Sequence, residues 1–445
     1  MGKFISANWF KIILFICIIF LISMVVTYFP KNITRIIVFA ILFIGDYYIW
    51  RVFRSWFFSF QRKIKYLLVT LYWLPSYVLI GLMVCVAFYG YQAFVNTLSY
   101  AISGAVMIAF SIKFILFIFI LLSDTTRVTS YLLHHLFISK NPHKLPKRNK
   151  IIIGVGILVS AIFIMLFAWG SLVDAYRFKV VEVTIESSRL PKSFDGFKIV
   201  QISDIHFVSW IGTKRFEKAV NIINEQNPDI VVFTGDLVTF KSSEAEEFIP
   251  QMKKIKARYG VYAILGNHDY GDYVNWETPE DKVKNMDKLY SIYDKAGWKL
   301  LRNEHLQIVN SIQDSITLIG VENWSENKRF PSKGDLGTAM KGISDDDFRI
   351  LLTHDPSHWQ SLHSQNISMD LTLSGHTHGM QFGYIGEKHQ ISPISLAHRY
   401  WQGLHKMFVN NRLQYLYVNT GLGTVGYLSR VGVLPEITLI TLKHK

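Results

Sequence analysis

Cysteine is nearly absent from this chain. Only Cys17 and Cys85 occur in 445 residues, both inside apolar runs, so neither a disulfide scaffold nor a cysteine metal cluster can organise the C-terminal part. Cysteine usage therefore argues neither for nor against an extracytoplasmic location. Acid is as scarce at one end: residues 1–170 hold Asp46 and Asp124 against sixteen Lys and Arg, while the remainder balances 31 basic against 31 acidic residues. The formal charge of +14 and the pI near 9.4 thus belong to the first stretch. There they set membrane topology, and the balanced remainder exerts no global attraction on polyanions, which removes nucleic acid as an expected partner. Internal repeats and low-complexity tracts are missing as well.

What is abundant is hydrophobicity, and it is concentrated before about Leu172. A membrane-spanning helix needs about 20 mostly apolar residues. Five runs qualify or nearly do: Ile12 to Phe29, Ile36 to Trp50, Tyr66 to Tyr91, Ala105 to Leu122 and Ile151 to Leu172. The first follows Lys3 and Lys11, but its apolar core is too long for a signal peptide and no small-x-small cleavage site follows, so it reads as a retained helix. The second is short and carries Asp46, and Pro75 is expected to kink the third. Arg51 to Lys65 and Asp124 to Lys150 are basic, whereas Gln92 to Ser103 carries no charge. Basic loops stay in the cytoplasm, which places the N-terminus inside and everything beyond Leu172 outside after an odd number of crossings. Lys113, deep in the fourth run, needs a partner such as Asp46 or a functional role. Val128 to Lys140 has the pattern of an amphipathic helix on the cytoplasmic face.

From Tyr176 onward, apolar strands alternate with amphipathic helices, an α/β pattern built on packed sheets. Strands are expected at Lys179 to Ile185, Phe197 to Ile202, Ile230 to Thr234, Tyr262 to Leu265, Ser315 to Val321, Arg349 to Thr353, Leu371 to Leu373, Leu413 to Val418 and Ile437 to Leu442. Helices are expected near Arg215 to Glu225, Ala245 to Lys256 and Lys282 to Ala296, and Phe330 to Asp347 reads as a loop.

Five short motifs each follow one of these strands: Asp204-Ile-His206, Gly235-Asp236, Gly266-Asn-His-Asp269, His354 and Gly375-His-Thr-His378. Singly, each has an ordinary explanation. Asp204 and Asp236 could cap turns, Asn267 could hold a left-handed turn, and His354 could be a satisfied core histidine. In α/β sheets, however, sites gather beyond the carboxyl ends of strands, so the five motifs converge on one rim. Carboxylates, imidazoles and one amide suit borderline divalent ions such as Mn, Fe or Zn.

The motif order D-x-H, G-D, G-N-H-D, H, G-H-T-H resembles that of the calcineurin-like metallophosphoesterases from Val180 to the C-terminus. Within them, Arg399-Tyr-Trp-Gln-Gly403, Asn419-Thr-Gly-Leu-Gly-Thr424, Arg430 and Pro435-Glu436 look like the YkuE-like membrane-associated branch. The resemblance implies a multi-pass helical membrane region over residues 1–172, then a four-layer αββα sandwich over residues 173–445. It implies that Asp204, His206 and His378 hold one divalent metal, that Asn267, His354 and His376 hold a second, and that Asp236 bridges both. A bridging hydroxide would then attack phosphorus, with His268 stabilising the transition state or protonating the leaving oxygen. Asp269 would anchor its loop. Thr239 stands where many relatives place an acidic residue that orients the histidine, and Met380 stands where a further glycine is common, which narrows the pocket.

The function this implies is a membrane-anchored hydrolase of phosphomono- or phosphodiesters in the plasma (inner) membrane, with its catalytic domain extracytoplasmic. Trp210, Tyr400 and Trp401, read as surface aromatics, together with the adjoining membrane suggest a lipid-linked substrate. The rival reading is a non-catalytic membrane sensor or accessory protein that keeps a metal site for stability.

Overall fold

A computed structural model describes residues 33–89, 96–137, 144–386, 389–409 and 412–445. The first apolar run, Ile12 to Phe29, lies outside the described residues. The remaining four runs each form a helix: α1 (Ile33–Phe57), α2 (Arg62–Tyr89), α3 (Thr97–Phe137) and α4 (Lys150–Leu172). Among the described residues, three helices are long and apolar enough to cross a membrane, within Arg62–Cys85, Thr97–Phe137 and Lys150–Tyr176. Helix α1 has the length, but Asp46, Arg51 and Arg54 interrupt its apolar stretch. Helix α2 continues through Pro75. The segment from Val128 forms no separate amphipathic helix. It continues α3 as far as Phe137, with Leu132, Leu133, Leu136 and Phe137 exposed.

The chain packs as two compact units. Among the described residues, the first comprises those up to Ile80 with those of Ile108–Ile164, and the second those of Gly81–Met107 with those of Met165–Lys445. Inside the first unit, Lys113 donates to both carboxylate oxygens of Asp46 at 2.9 Å and to the Tyr72 carbonyl at 2.9 Å. Ser76 also donates to the Asp46 carboxylate, and Tyr72 to its carbonyl. The lysine is therefore paired. Breaking such a pair from one side leaves a desolvated charge, at a cost of about 3–5 kcal/mol, whereas removing both partners is nearly neutral. Lys113→Met is expected to lower the thermal midpoint of the full chain in detergent, and Asp46→Leu combined with Lys113→Met to recover most of the loss.

The second unit is the α/β part, with strands β1 (Lys179–Ser187), β2 (Lys198–Ile202), β3 (Ile230–Phe233), β4 (Val261–Ala263), β5 (Trp298–Leu300), β6 (Glu304–Val309), β7 (Ser315–Gly320), β8 (Arg349–Leu352), β9 (Leu371–Ser374), β10 (Tyr384–Ile385), β11 (Gln390–Ile391), β12 (Gly403–Val409), β13 (Arg412–Val418) and β14 (Glu436–His444). Its longer helices are α5 (Thr213–Glu225), α6 (Pro279–Ala296) and α7 (Ser357–Ser364). One six-stranded sheet runs β1-β14-β2-β3-β4-β5 and the other β12-β13-β9-β8-β7-β6, while β10 and β11 form a small hairpin apart.

Strand alternation explains why the two sheets face each other. Ile199, Ile230 and Val232 of the first sheet and Leu318, Ile350, Leu352, Leu371 and Leu373 of the second are buried in one shared core. The opposite faces carry Val200, Val231 and Phe233, covered by Phe216, Val220 and Ile223 of α5 and Leu289 and Tyr293 of α6. Ile319 and Leu351 are covered by Trp359 and Leu362 of α7. The order is helix, sheet, sheet, helix, with every layer held by apolar burial.

Five strands escape sequence reading: the two-residue strands β10 and β11 of the small hairpin, and three in the sheets. Trp298–Leu300 is too short for a periodic signal, and Glu304–Val309 and Gly403–Val409 are edge strands whose outer faces need no apolar pattern. The helix expected over Ala245 to Lys256 is instead a 3-10 segment, Ser242–Phe248, followed by one turn, Ile249–Met252. Pro250, which cannot donate a backbone bond, enters at the start of that turn and divides the two. Within the span expected to be a loop, Leu336–Ala339 makes one helical turn capped by Asp335.

Candidate metal centre

Strands β2, β3, β4, β8 and β9 lie side by side within their two sheets, and each ends just before one of the five motifs. The loops are laced together by backbone bonds from Asp204 N to Gly235 O, His206 N to Asp236 O and Gly375 N to His354 O. Their backbones are strained. Among the described residues eleven non-glycine positions have positive φ, and five of them are Asp204, His206, Asp236, His376 and His378. Left-handed backbone at such residues costs of order 1–3 kcal/mol each and persists only where the surroundings enforce it. Here it turns each side chain off its strand toward a common point. Gly235 and Gly266 allow the close approach: a Cβ on Gly235 would lie 2.6 Å from Gly266 N.

The side chains form two groups, Asp204 with His206 and His378, and Asp236 with His354 and His376. Within each group the donor atoms lie within 4.8 Å of one another. The Nε2 atoms of His206 and His378 are 3.1 Å apart, and His378 Nε2 is 3.2 Å from Asp204 Oδ1. In the second group His376 Nδ1 is 3.2 Å from His354 Nε2. Asp236 Oδ2 stands between the groups, 3.1 Å from His354 Nε2 and 3.6 Å from His206 Nε2. Asn267 is buried with no hydrogen-bond partner for Oδ1, while its Nδ2 donates to Tyr273 OH at 2.9 Å. A buried amide oxygen without a donor, beside clustered imidazoles and carboxylates, fits a cation.

Electrostatics agree with that chemistry. Burial works to raise the Asp204 carboxyl, but the His378 imidazole and then His354 hold it well below the usual carboxylate range. Asp236 is held low in the same way, by His354 and His268 against burial. Burial pushes His206 down, and His376 down to about 4. His354 goes the other way. Burial lowers it, but the Asp236 carboxylate outweighs burial and brings it to about 10. Apart from the proton held on His354, Asp204 and Asp236 rest ionised and His206 and His376 neutral, the forms that ligate.

The neighbouring residues hold this arrangement in place. His268 packs edge-on to His206, with ring centroids 4.9 Å apart, and its Nδ1 is 2.9 Å from the Thr239 carbonyl. Thr239 therefore orients His268 through its backbone, and its hydroxyl meets His206 Nδ1 at 3.0 Å. The acidic residue missing from that position has its place taken by a carbonyl. The Asp269 carboxylate accepts from the backbone N–H groups of Asp236, Leu237, Val238 and Gly266, which makes it the anchor of both loops. Glu244 accepts from Val208, Thr239, Phe240 and Lys241 N–H. Buried Arg430 donates to the carbonyls of Thr420, Gly421 and Gly423, in the loop that backs Asp204.

Sequence reasoning missed Tyr273, which stacks on His268 at 4.3 Å, as well as Phe330 and His398, whose rings lie 5.1 and 5.8 Å from that of His376. A lone aromatic in a loop carries no periodic or motif signal. The surface aromatics are a correction: Trp210 and Trp401 are buried and Tyr400 is half-buried. Trp210 donates to the Ile205 carbonyl and stacks on Phe178, so these rings serve packing. Met380 is exposed.

Comparison with known proteins adds two matched families. Residues 197–380 match the calcineurin-like phosphoesterase family. Residues 30–175, which hold all four helices α1–α4, match one described as "Probable Calcineurin-like phosphoesterase, transmembrane domain". The chain is 31% identical over 281 residues to the uncharacterized metallophosphoesterase YkuE of Bacillus subtilis, covering 62% of this chain and 90% of that one. It is 29% identical over 295 residues to a transmembrane protein with metallophosphoesterase domain from Danio rerio, covering 65% of this chain and 62% of that one, under two thirds of the relative's length. An uncharacterized metallophosphoesterase of Aquifex aeolicus is 28% identical over 287 residues, covering 64% and 98%.

Proposed function

The chain belongs to the calcineurin-like phosphoesterases, and on that premise we propose that it is a membrane-anchored hydrolase of phosphate esters that works with two divalent cations. Asp204, His206 and His378 would hold one cation, Asn267, His354 and His376 the other, and Asp236 both. The observation that carries this is the Asp236 carboxylate, whose Oδ2 faces His206 on one side and His354 on the other. When bound, two such cations, Mn, Fe or Zn by donor chemistry, supply Lewis acidity that neutralises phosphoryl charge and acidifies water.

The chain's own residues do the rest. His268 stands at the edge of the cluster with Nδ1 engaged by Thr239, which leaves Nε2 to exchange a proton with the departing ester oxygen. Tyr273 fixes the Asn267 amide so that Nδ2 is occupied and Oδ1 is the free atom. Asp269 and Glu244 hold the loops against the strain of the left-handed positions. We place the boundary between membrane and catalytic parts at 172/173 and the catalytic part outside the plasma membrane, because the basic loops lie at 51–65 and 124–150.

The test uses the full chain in detergent with added manganese and an aryl phosphomonoester or phosphodiester. Turnover is expected, and His354→Ala is expected to abolish it. Absence of turnover with manganese, iron and zinc on both ester types would sink the proposal.

A further inference from the structure

The metal-bearing loops rest on the ends of membrane helices, all within the second compact unit. Arg430 N donates to Gly170 O at 3.2 Å, and Ser429 Oγ to Phe167 O at 3.1 Å. Val431 in turn bonds Gln381 and Gly383 through the backbone, at 2.8 and 2.9 Å, and Gln381 is three residues beyond His378. Phe382 stacks on Phe167 with centroids 6.0 Å apart. On the other helix, Tyr100 donates to Thr424 O at 3.0 Å and packs against Phe240, next to Thr239. A side chain at Gly104 would collide with Tyr427, and one at Gly170 with Arg430.

These contacts fix a depth. Helix α4 has 23 residues, about 34 Å at 1.5 Å per residue, little more than the roughly 30 Å of a hydrocarbon core. Phe167 and Gly170 come five and two residues before its end, so the segment 380–383 and the loop 427–431 lie against its last two turns, where a spanning helix leaves the hydrocarbon. Trp169, exposed on the same turn, is the residue type that settles at that level.

At this level the described residues of 380–396 show water an unusual surface. Met380 is 50% exposed, Tyr384 62%, Ile391 67% and Leu396 94%. Tyr384 and Ile391 are register partners, so their side chains share one face of the β10–β11 hairpin. The segment is tied back to the metal loop by the bond from Ser392 Oγ to Gly379 O, at 2.8 Å. An isolated exposed leucine means little, but four large apolar side chains on one segment, continuous with a spanning helix, need a non-aqueous partner.

We infer that residues 380–386 and 389–396 form a lip that inserts into the bilayer surface beside the metal centre, and that the phosphate ester hydrolysed there is carried by a membrane lipid. This rests on the hydrolase reading above. Hydrolysis breaks one P–O ester bond of the lipid headgroup, puts the oxygen of water on phosphorus, and leaves the released hydroxyl with a proton from that water. Lipid is drawn from the leaflet into which Tyr384, Ile391 and Leu396 dip, with its phosphate at the level of His378.

The experiment uses the full chain in phosphatidylcholine nanodiscs. Leu396→Cys, in a Cys17→Ser, Cys85→Ser background, carries a bimane fluorophore, with Ile312→Cys as control. Ile312 lies at the β6–β7 turn, at the end of the sheet away from the metal loops. Lipids with a nitroxide near the headgroup are expected to quench the probe at 396 several-fold more than the one at 312, and equal quenching would overturn the lip. Separately, nanodiscs containing phosphatidic acid (a monoester) or phosphatidylglycerol (a diester) are compared with a soluble aryl ester. The inference expects one of the lipids to be cleaved. It also expects Ile391→Asp with Leu396→Asp to reduce that cleavage about tenfold or more, since each lost apolar contact with lipid weakens insertion, with soluble-ester turnover kept. Cleavage of the soluble ester but of neither lipid, or lipid cleavage unchanged in the double variant, overturns the inference and leaves the hydrolase reading standing. Loss of all turnover in the unsubstituted chain overturns the hydrolase reading itself.

Discussion

Asp236→Asn is expected to lower kcat/KM on an aryl phosphoester by about a thousandfold or more, since each cation of a two-metal site contributes several kcal/mol of charge stabilisation. The Asp236 carboxylate faces both histidine groups: Oδ2 lies 3.1 Å from His354 Nε2 and 3.6 Å from His206 Nε2, and Oδ1 accepts from His268 N at 2.8 Å. Asparagine keeps the shape and the bond from His268 N. It removes the charge that would hold two cations near each other and that raises His354 to about 10. The check is turnover with excess manganese beside a circular-dichroism spectrum. A folded Asp236→Asn with near-normal turnover would contradict the role assigned to this residue.

His268→Ala is expected to cut kcat by about a hundredfold to ten-thousandfold, the usual worth of a positioned proton donor or acceptor, while bound metal stays at its original level. His268 contributes no atom to either ligand group. Because the Thr239 carbonyl engages Nδ1, Nε2 is the ring nitrogen that would meet the leaving oxygen. The loss should therefore grow with the basicity of the leaving group, small for nitrophenol and large for an alkyl alcohol. An equal loss for both leaving groups would argue against proton donation. Unimpaired function of His268→Ala in cells would favour a sensor or accessory role over a hydrolase.

Much of the site could be read from the sequence because its residues come in pairs and triplets at strand ends. Asp204 with His206 and His376 with His378 advertise themselves by spacing, and the apolar runs before them locate the rim. What holds those residues is less visible. Tyr273, Glu244 and Arg430 act through hydrogen bonds to backbone or amide atoms, and such bonds impose no residue type or spacing on the partner. Thr239 shows the limit most clearly: its side-chain type implied a missing partner for His268, but the bond comes from its carbonyl, which every residue has. The sheets were legible at their centres, where both faces are buried and runs such as Ile230-Val-Val-Phe233 are wholly apolar. They were not legible at edges such as Glu304–Val309, where one face is wet. The tryptophans misled for a related reason, since Trp210 and Trp401 lie in loops outside the periodic strands and helices yet are buried.

The paired-cation claim is tested most directly by elemental analysis of the purified full chain after loading with manganese and removal of excess metal, alongside His376→Ala and His378→Ala. The account expects about two equivalents per chain in the parent and about one in each variant, because each imidazole is assigned to a different cation of a two-metal site. One equivalent or none in the parent, or two retained in either variant, would contradict it.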